Sequence, residues 1–131
     1  MASVMRVEQL RESGVIPLRQ RPLDLVHLAR QSLGDPGIEA EVLRIFQTRI
    51  RVYRDRLEAS TKPEELSLNL FAILGASAGV GAWGVADLAR LTEAEINSGL
   101  PINPERVDDI SLAIEEVCTF IGTIIEDEPT H

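Results

Sequence analysis

The sequence predicts an all-α protein: an antiparallel up-down four-helix bundle with a short N-terminal extension. Three observations carry that expectation. Apolar residues recur at three- and four-residue spacing in the long segments, as in Val42, Phe46, Ile50, Tyr53 and Leu57, and again in Val107, Ile110, Ile114, Val117, Ile121 and Ile124. That spacing lays a continuous stripe along one side of a helix. No run alternates apolar and polar residues with β-branched enrichment, so no strand is expected. The helical segments are joined by short connections, which makes successive helices antiparallel neighbours.

In chain order, residues 1–20 form the extension, with one short helix expected over residues 4–12, ending before Gly14. The bundle occupies residues 21–127 and a loose tail residues 128–131. A first helix is expected over residues 24–33, stopped by Gly34. Asp35-Pro36 opens the next, with aspartate as N-cap and proline in the first turn. Thr61 and Glu64 have capping-box spacing around Pro63, and predict a third helix running to about residue 78. Gly79, Gly81 and Gly84 weaken helix and predict a tight junction near residues 79–81. A fourth helix runs to about Ser98 and stops at Gly99, and Asn103-Pro104 opens the last.

A chain of 131 residues with 44% apolar content suits one domain with a real core. With three Phe, one Trp and one Tyr, that core must be mostly aliphatic. The single Cys118 excludes an internal disulfide, sits at core spacing, and belongs to no zinc-spaced Cys/His group, so no metal and no cofactor is expected. Charges at Arg6, Glu8, Arg11 and Glu12 are unlike a signal peptide, which predicts a cytoplasmic protein.

The net charge of −8 is uneven: residues 1–62 carry 11 Lys/Arg and 8 Asp/Glu, residues 63–131 carry 2 and 13. The acidic half argues against nucleic acid as a partner. Arg44, Arg49, Arg51, Arg54 and Arg56 are interleaved with acids and read as a solvated helix face.

Two motif matches fail on context. Residues 75–79 read G-x-S-x-G, but a nucleophile elbow needs a preceding strand and a later histidine, and the only later one is His131. Residues 79–84 read G-x-G-x-x-G without the strand and crossover unit that a dinucleotide site requires. Residues 66–86 carry no charge, yet four glycines, two serines and Asn69 make the run too weakly hydrophobic for an expected membrane span.

The stretch Phe71-Ala72-Ile73-Leu74-Gly75-Ala76-Ser77-Ala78-Gly79-Val80-Gly81-Ala82-Trp83 resembles the signature helix of histidine-containing phosphotransfer (Hpt) domains, roughly A-H-T-L-K-G-S-A-x-x-V-G-A-W. Leu74, Ser77, Ala78, Val80, Gly81, Ala82 and Trp83 are set on that pattern. The phosphoryl-accepting histidine then falls on Ala72, and the usual Lys-Gly on Gly75-Ala76. Residues 22–30, 33–35 and 41–46 are similar to the opening helices of bacterial Hpt domains, so the resemblance covers about residues 20–95.

The resemblance implies a phosphorelay protein without an acceptor: no enzyme, but a binding module for a response-regulator receiver domain or a histidine kinase. On the third helix Glu65, Leu68, Ala72, Gly75, Ala76 and Gly79 share one face. The resemblance makes that face the partner-binding surface. The plainer reading is that its small residues let another helix of the bundle pack closely, and a further alternative is a structural homodimer formed through it. Residual phosphotransfer through His27 is the third alternative, although a histidine among Leu25, Val26, Leu28 and Ala29 reads first as a packed helical residue.

Overall fold

The computed structural model of the chain describes residues 22–126. The expected helix over residues 4–12, the tail at 128–131 and His131 lie outside the described residues. Among those described, every regular element is a helix: α1 (Leu25–Gln31), α2 (Pro36–Ala59), α3 (Pro63–Val80), α4 (Trp83–Asn97) and α5 (Pro104–Glu126). Helix α2 packs on α3 and α5, α4 packs on the same two, and α1 lies against α3.

Local chemistry fixes where these helices begin and end. Asp35 caps α2 as its position before Pro36 predicts, accepting from the Gly37 and Ile38 amides at 2.8 and 3.2 Å. Asn103 Oδ1 accepts from the Glu105 amide at 2.9 Å at the start of α5. The capping box expected at Thr61 does not form. Helix α3 opens with Lys62 in the cap position and no side-chain cap bond, while Glu65 reaches back to the Thr61 amide at 3.3 Å. Pro63 removes one of the first-turn donors and presets φ, so the helix starts there without a threonine cap.

Helix α1 is shorter than expected. Ser32 Oγ bonds back to the Leu28 carbonyl at 3.0 Å, and Leu33 and Gly34 then take φ of 56° and 77°. Two successive left-handed residues cannot continue a right-handed helix. Helix α3 runs two residues further than expected, to Val80, and ends on Gly81 at φ 82°. The Ala82 amide returns to the Ser77 carbonyl at 2.8 Å and the Gly81 amide to Ala78 at 3.2 Å, a Schellman closure. Only Gly81 and Ala82 separate α3 from α4, so the uncharged run at residues 66–86 is split into two helices. No helix among the described residues is long and apolar enough to cross a membrane.

The core is aliphatic, as composition requires. Leu43, Phe46, Ile50 and Leu57 of α2 meet Leu66, Leu70 and Ile73 of α3, Val85 of α4, and Ile110, Ile114, Val117 and Ile121 of α5. Val42, Tyr53, Leu74, Val107 and Ile124 are only partly buried. A helix flanked by two neighbours buries an arc wider than one stripe, so Ala40 and Leu43 join the buried set of α2 while Val42 and Tyr53 sit at its edge.

Polar bonds set the register around that core. Arg54 pairs with Glu115, Gln47 Nε2 donates to the Cys118 carbonyl at 3.1 Å, and Ser111 Oγ donates to Glu58 at 2.7 Å, all joining α2 to α5. Arg106 holds Glu95 with bonds of 3.0 to 3.2 Å, joining α5 to α4. Of the arginine stripe on α2, Arg54 is engaged in this way and Arg44 pairs with Glu41 at 3.7 Å.

Ile114 is fully buried while Leu112, two residues earlier, is 63% exposed. Ile114→Ala should lower unfolding free energy by about 2–5 kcal/mol, as truncation of buried aliphatic side chains does. Leu112→Ala should stay within about 0.5 kcal/mol, as exposed substitutions do. Urea unfolding of both variants checks the helical register of α5, and equal costs would contradict it.

Candidate functional site: the outer face of α3 and the corner that bounds it

Helix α3 divides along its length. Leu66, Leu70, Ile73, Ser77 and Val80 are buried. On the other side Glu65, Leu68, Gly75 and Gly79 are exposed, as expected. Two expectations need correction. Ala72 and Ala76 are half-buried, and Ala76 packs against the edge of the core. At 100° per residue they lie away from the centre of the outer arc, which falls at Gly75 between Leu68 and Phe71.

Phe71 is the residue that sequence reasoning missed. It is 66% exposed beside Leu68 at 70%. Aromatic side chains are read as core by default, yet the helical wheel already places Phe71 on the side of Leu68 and Gly75. The outer face is thus not bare. It is a small apolar surface of Leu68 and Phe71 beside a flat strip at Gly75 and Gly79. Arg56, Ala59, Ser60, Glu65, Leu68 and Asn69 line a shallow recess at its N-terminal end.

Among the described residues no packing explains the glycines of the strip. A Cβ built on Gly75 or Gly79 meets nothing within 4 Å. The reading in which small residues admit another helix of the bundle therefore fails for Gly75 and Gly79 among the described residues, whereas Ala76 does pack against the core.

The C-terminal end of the face is bounded by α1. The Asp24 amide donates to the Gly81 carbonyl at 2.9 Å, and Leu23 beside it is fully buried. Asp24 caps α1, accepting from the His27 amide at 3.1 Å, and its other oxygen accepts from the Trp83 indole at 2.9 Å. The Trp83 hydrogen bond holds the Asp24 carboxyl below the usual carboxylate range, against the opposing effect of burial, and the His27 amide adds to it. His27 lies at this corner, its Nε2 3.2 Å from the Gly79 carbonyl, with its ring edge-on to Trp83 at 5.1 Å between centroids. The carbonyl can only accept, so Nε2 carries the proton in this contact.

Two further groups face inward. Ser77 is fully buried and its Oγ has no hydrogen-bond partner among the described residues. It stands on a helix with its hydroxyl in the core, which also removes the nucleophile-elbow reading. Cys118 is buried, and burial pushes its thiol up. Comparison of the chain with protein-family models, curated proteins and solved structures finds no match.

Two measurements test this geometry. Because the Asp24 carboxyl is lowered in the folded state, it adds stability above its unfolded value near 3.8, and that stability is lost as pH falls through the lower folded value. Asp24→Asn should therefore be less stable than wild type at about pH 6, with the gap closing below about pH 3.8. A constant gap across that range would contradict the Trp83–Asp24 bond. Ser77→Ala removes a buried hydroxyl that has no partner among the described residues and should raise stability by about 1 kcal/mol in denaturant unfolding. A loss of that size would reveal a bond that the fold depends on.

Proposed function

We propose that this chain is an Hpt-like antiparallel four-helix bundle acting as a binding module of two-component signalling. In this reading it docks a response-regulator receiver domain, or a histidine kinase, on the outer face of α3 and accepts no phosphate. It works in the cytoplasm and needs no cofactor. The observation that carries the reading is the pair Gly75 and Gly79, which face open space in the middle and last turn of a helix. Glycine there costs the helix about 1 kcal/mol relative to alanine, and no neighbour among the described residues requires it. A partner surface that approaches the helix backbone does.

The resemblance to the family motif is consistent with that surface, in a register shifted by one residue. Counted back from Val80-Gly81-Ala82-Trp83 without a gap, the pattern puts its histidine on Phe71 and its Lys-Gly on Leu74-Gly75. The placement on Ala72 needs a one-residue gap before Val80, and α3 is an uninterrupted helix from Pro63 to Val80. An acceptor must also stand in solvent to be attacked, and Phe71 does so where Ala72 is half-buried. In either register the position holds no nucleophile. His27 is a weaker candidate, because its Nε2 is engaged with Gly79 and its ring rests against Trp83.

The chain should take no acid-labile phosphate from a phosphorylated receiver or kinase. Phe71→His should gain weak labelling and Ala72→His none. Labelling of the wild type that disappears in His27→Ala would overturn the reading. Gly75→Arg points its side chain into open space, so helix content should be retained while receiver binding falls at least tenfold in calorimetry. If Gly75→Arg instead turns a dimer into a monomer and neither form binds a receiver, the face serves self-association.

A further inference from the structure

Helix α2 carries a second apolar surface, uncovered among the described residues. Ile38, Ile45 and Val52 are 48%, 46% and 42% exposed. They recur every seven residues, and seven residues fall only about 20° short of two helical turns. The three side chains therefore form a nearly straight ridge, roughly 21 Å long at helical rise. Single exposed apolar residues are ordinary, but a ridge at this spacing is the pattern of a helix that meets another helix. Arg44, Ile45, Thr48 and Arg49 line a shallow recess at its midpoint.

The charges beside the ridge select its occupant. Glu41 stands four residues before Ile45 and to one side of the ridge, and Arg49 stands four residues after it and to the other side. Both are exposed. Arg49 enters no ion pair among the described residues, and Glu41 has only Arg44 at 3.7 Å, a contact in solvent. Outward from Ile45 the pattern is therefore mirrored: an acid or a base at four residues, an apolar side chain at seven.

A two-fold axis normal to α2 at Ile45 reverses the helix and exchanges its two sides. It lays Ile45 on its own copy, Ile38 on Val52 of the second copy, and Glu41 on Arg49 of the second copy. Such a contact is isologous and closed, so each of the unlike pairs forms twice. A chain of net charge −8 repels its copies over much of its surface, whereas α2 is nearly balanced, with five arginines against four acids.

We propose that two copies of this chain associate through the outer ridge of α2, antiparallel, with the two-fold axis at Ile45. The contact does not rest on the reading of α3, whose outer face centres on Gly75.

Analytical ultracentrifugation of the full chain from micromolar to millimolar concentration tests it. The wild type should pass from monomer to dimer. Ile45→Glu sets two carboxylates against each other at the axis, and should weaken dimerisation at least tenfold with helix content unchanged in circular dichroism. Glu41→Arg and Arg49→Glu should each weaken it at least fivefold. The two together should restore it to within twofold, because each acid–base pair forms again with its ends exchanged. Gly75→Arg should leave the dimer intact. A wild type that stays monomeric, or an Ile45→Glu variant that dimerises as well as the wild type, would overturn the proposal. So would a double reversal that restores nothing, or loss of the dimer in Gly75→Arg, which would place the contact on α3. No receiver is present in this experiment, so its failure is separate from a failure of receiver docking.

Discussion

A Cβ on Gly81 would come within 2.9 Å of the Asp24 Cβ and 3.1 Å of its carbonyl oxygen, and φ there is 82°. Both conditions restrict the corner between α3 and α4 to glycine. Much of the arrangement follows from that corner. The left-handed residue ends α3 and turns the chain so that α4 can pack on it, and its carbonyl receives the Asp24 amide. Asp24 then caps α1 and accepts a hydrogen bond from the Trp83 indole, which seats α1 at the C-terminal end of α3. Because α1 sits at the end, the outer arc of α3 stays open.

Helix α3 is therefore built under two opposed demands. Its inner arc supplies Leu66, Leu70 and Ile73 to the core and lies between α2 and α4. Its outer arc carries two large apolar side chains in solvent and two glycines with open space above them. Exposed apolar area and mid-helix glycine each lower the stability of an isolated chain. Their coincidence on one face is what a contact surface would explain. The Ser77 hydroxyl, without a partner among the described residues, adds a further cost to the same helix.

Much of this was legible in the sequence. Asp35 with Pro36, and Asn103 with Pro104, declare helix starts because a short polar cap before a proline has few other uses. The stripes of α2 and α5 declare their buried sides. What was not legible depends on contacts between distant residues. The Trp83–Asp24 bond joins positions 59 residues apart, and neither side chain announces the other. The left-handed Leu33 has no local signal, since leucine rarely adopts that conformation. The cap at Thr61 was read from a spacing that Pro63 makes unnecessary. Phe71 was hidden by the habit of assigning aromatics to cores, although its helical phase was available from the start.

The central claim is that a folded partner lands on the outer face of α3 without chemistry. Titration of the isotope-labelled chain with unphosphorylated receiver domains, followed by two-dimensional NMR, addresses it directly. The account predicts shifts concentrated at Leu68, Phe71, Gly75 and Gly79, with the amides of the outer α2 face around Ile45 and Arg49 unmoved. Shifts centred on α2, or no response to any receiver domain of the host, would contradict it.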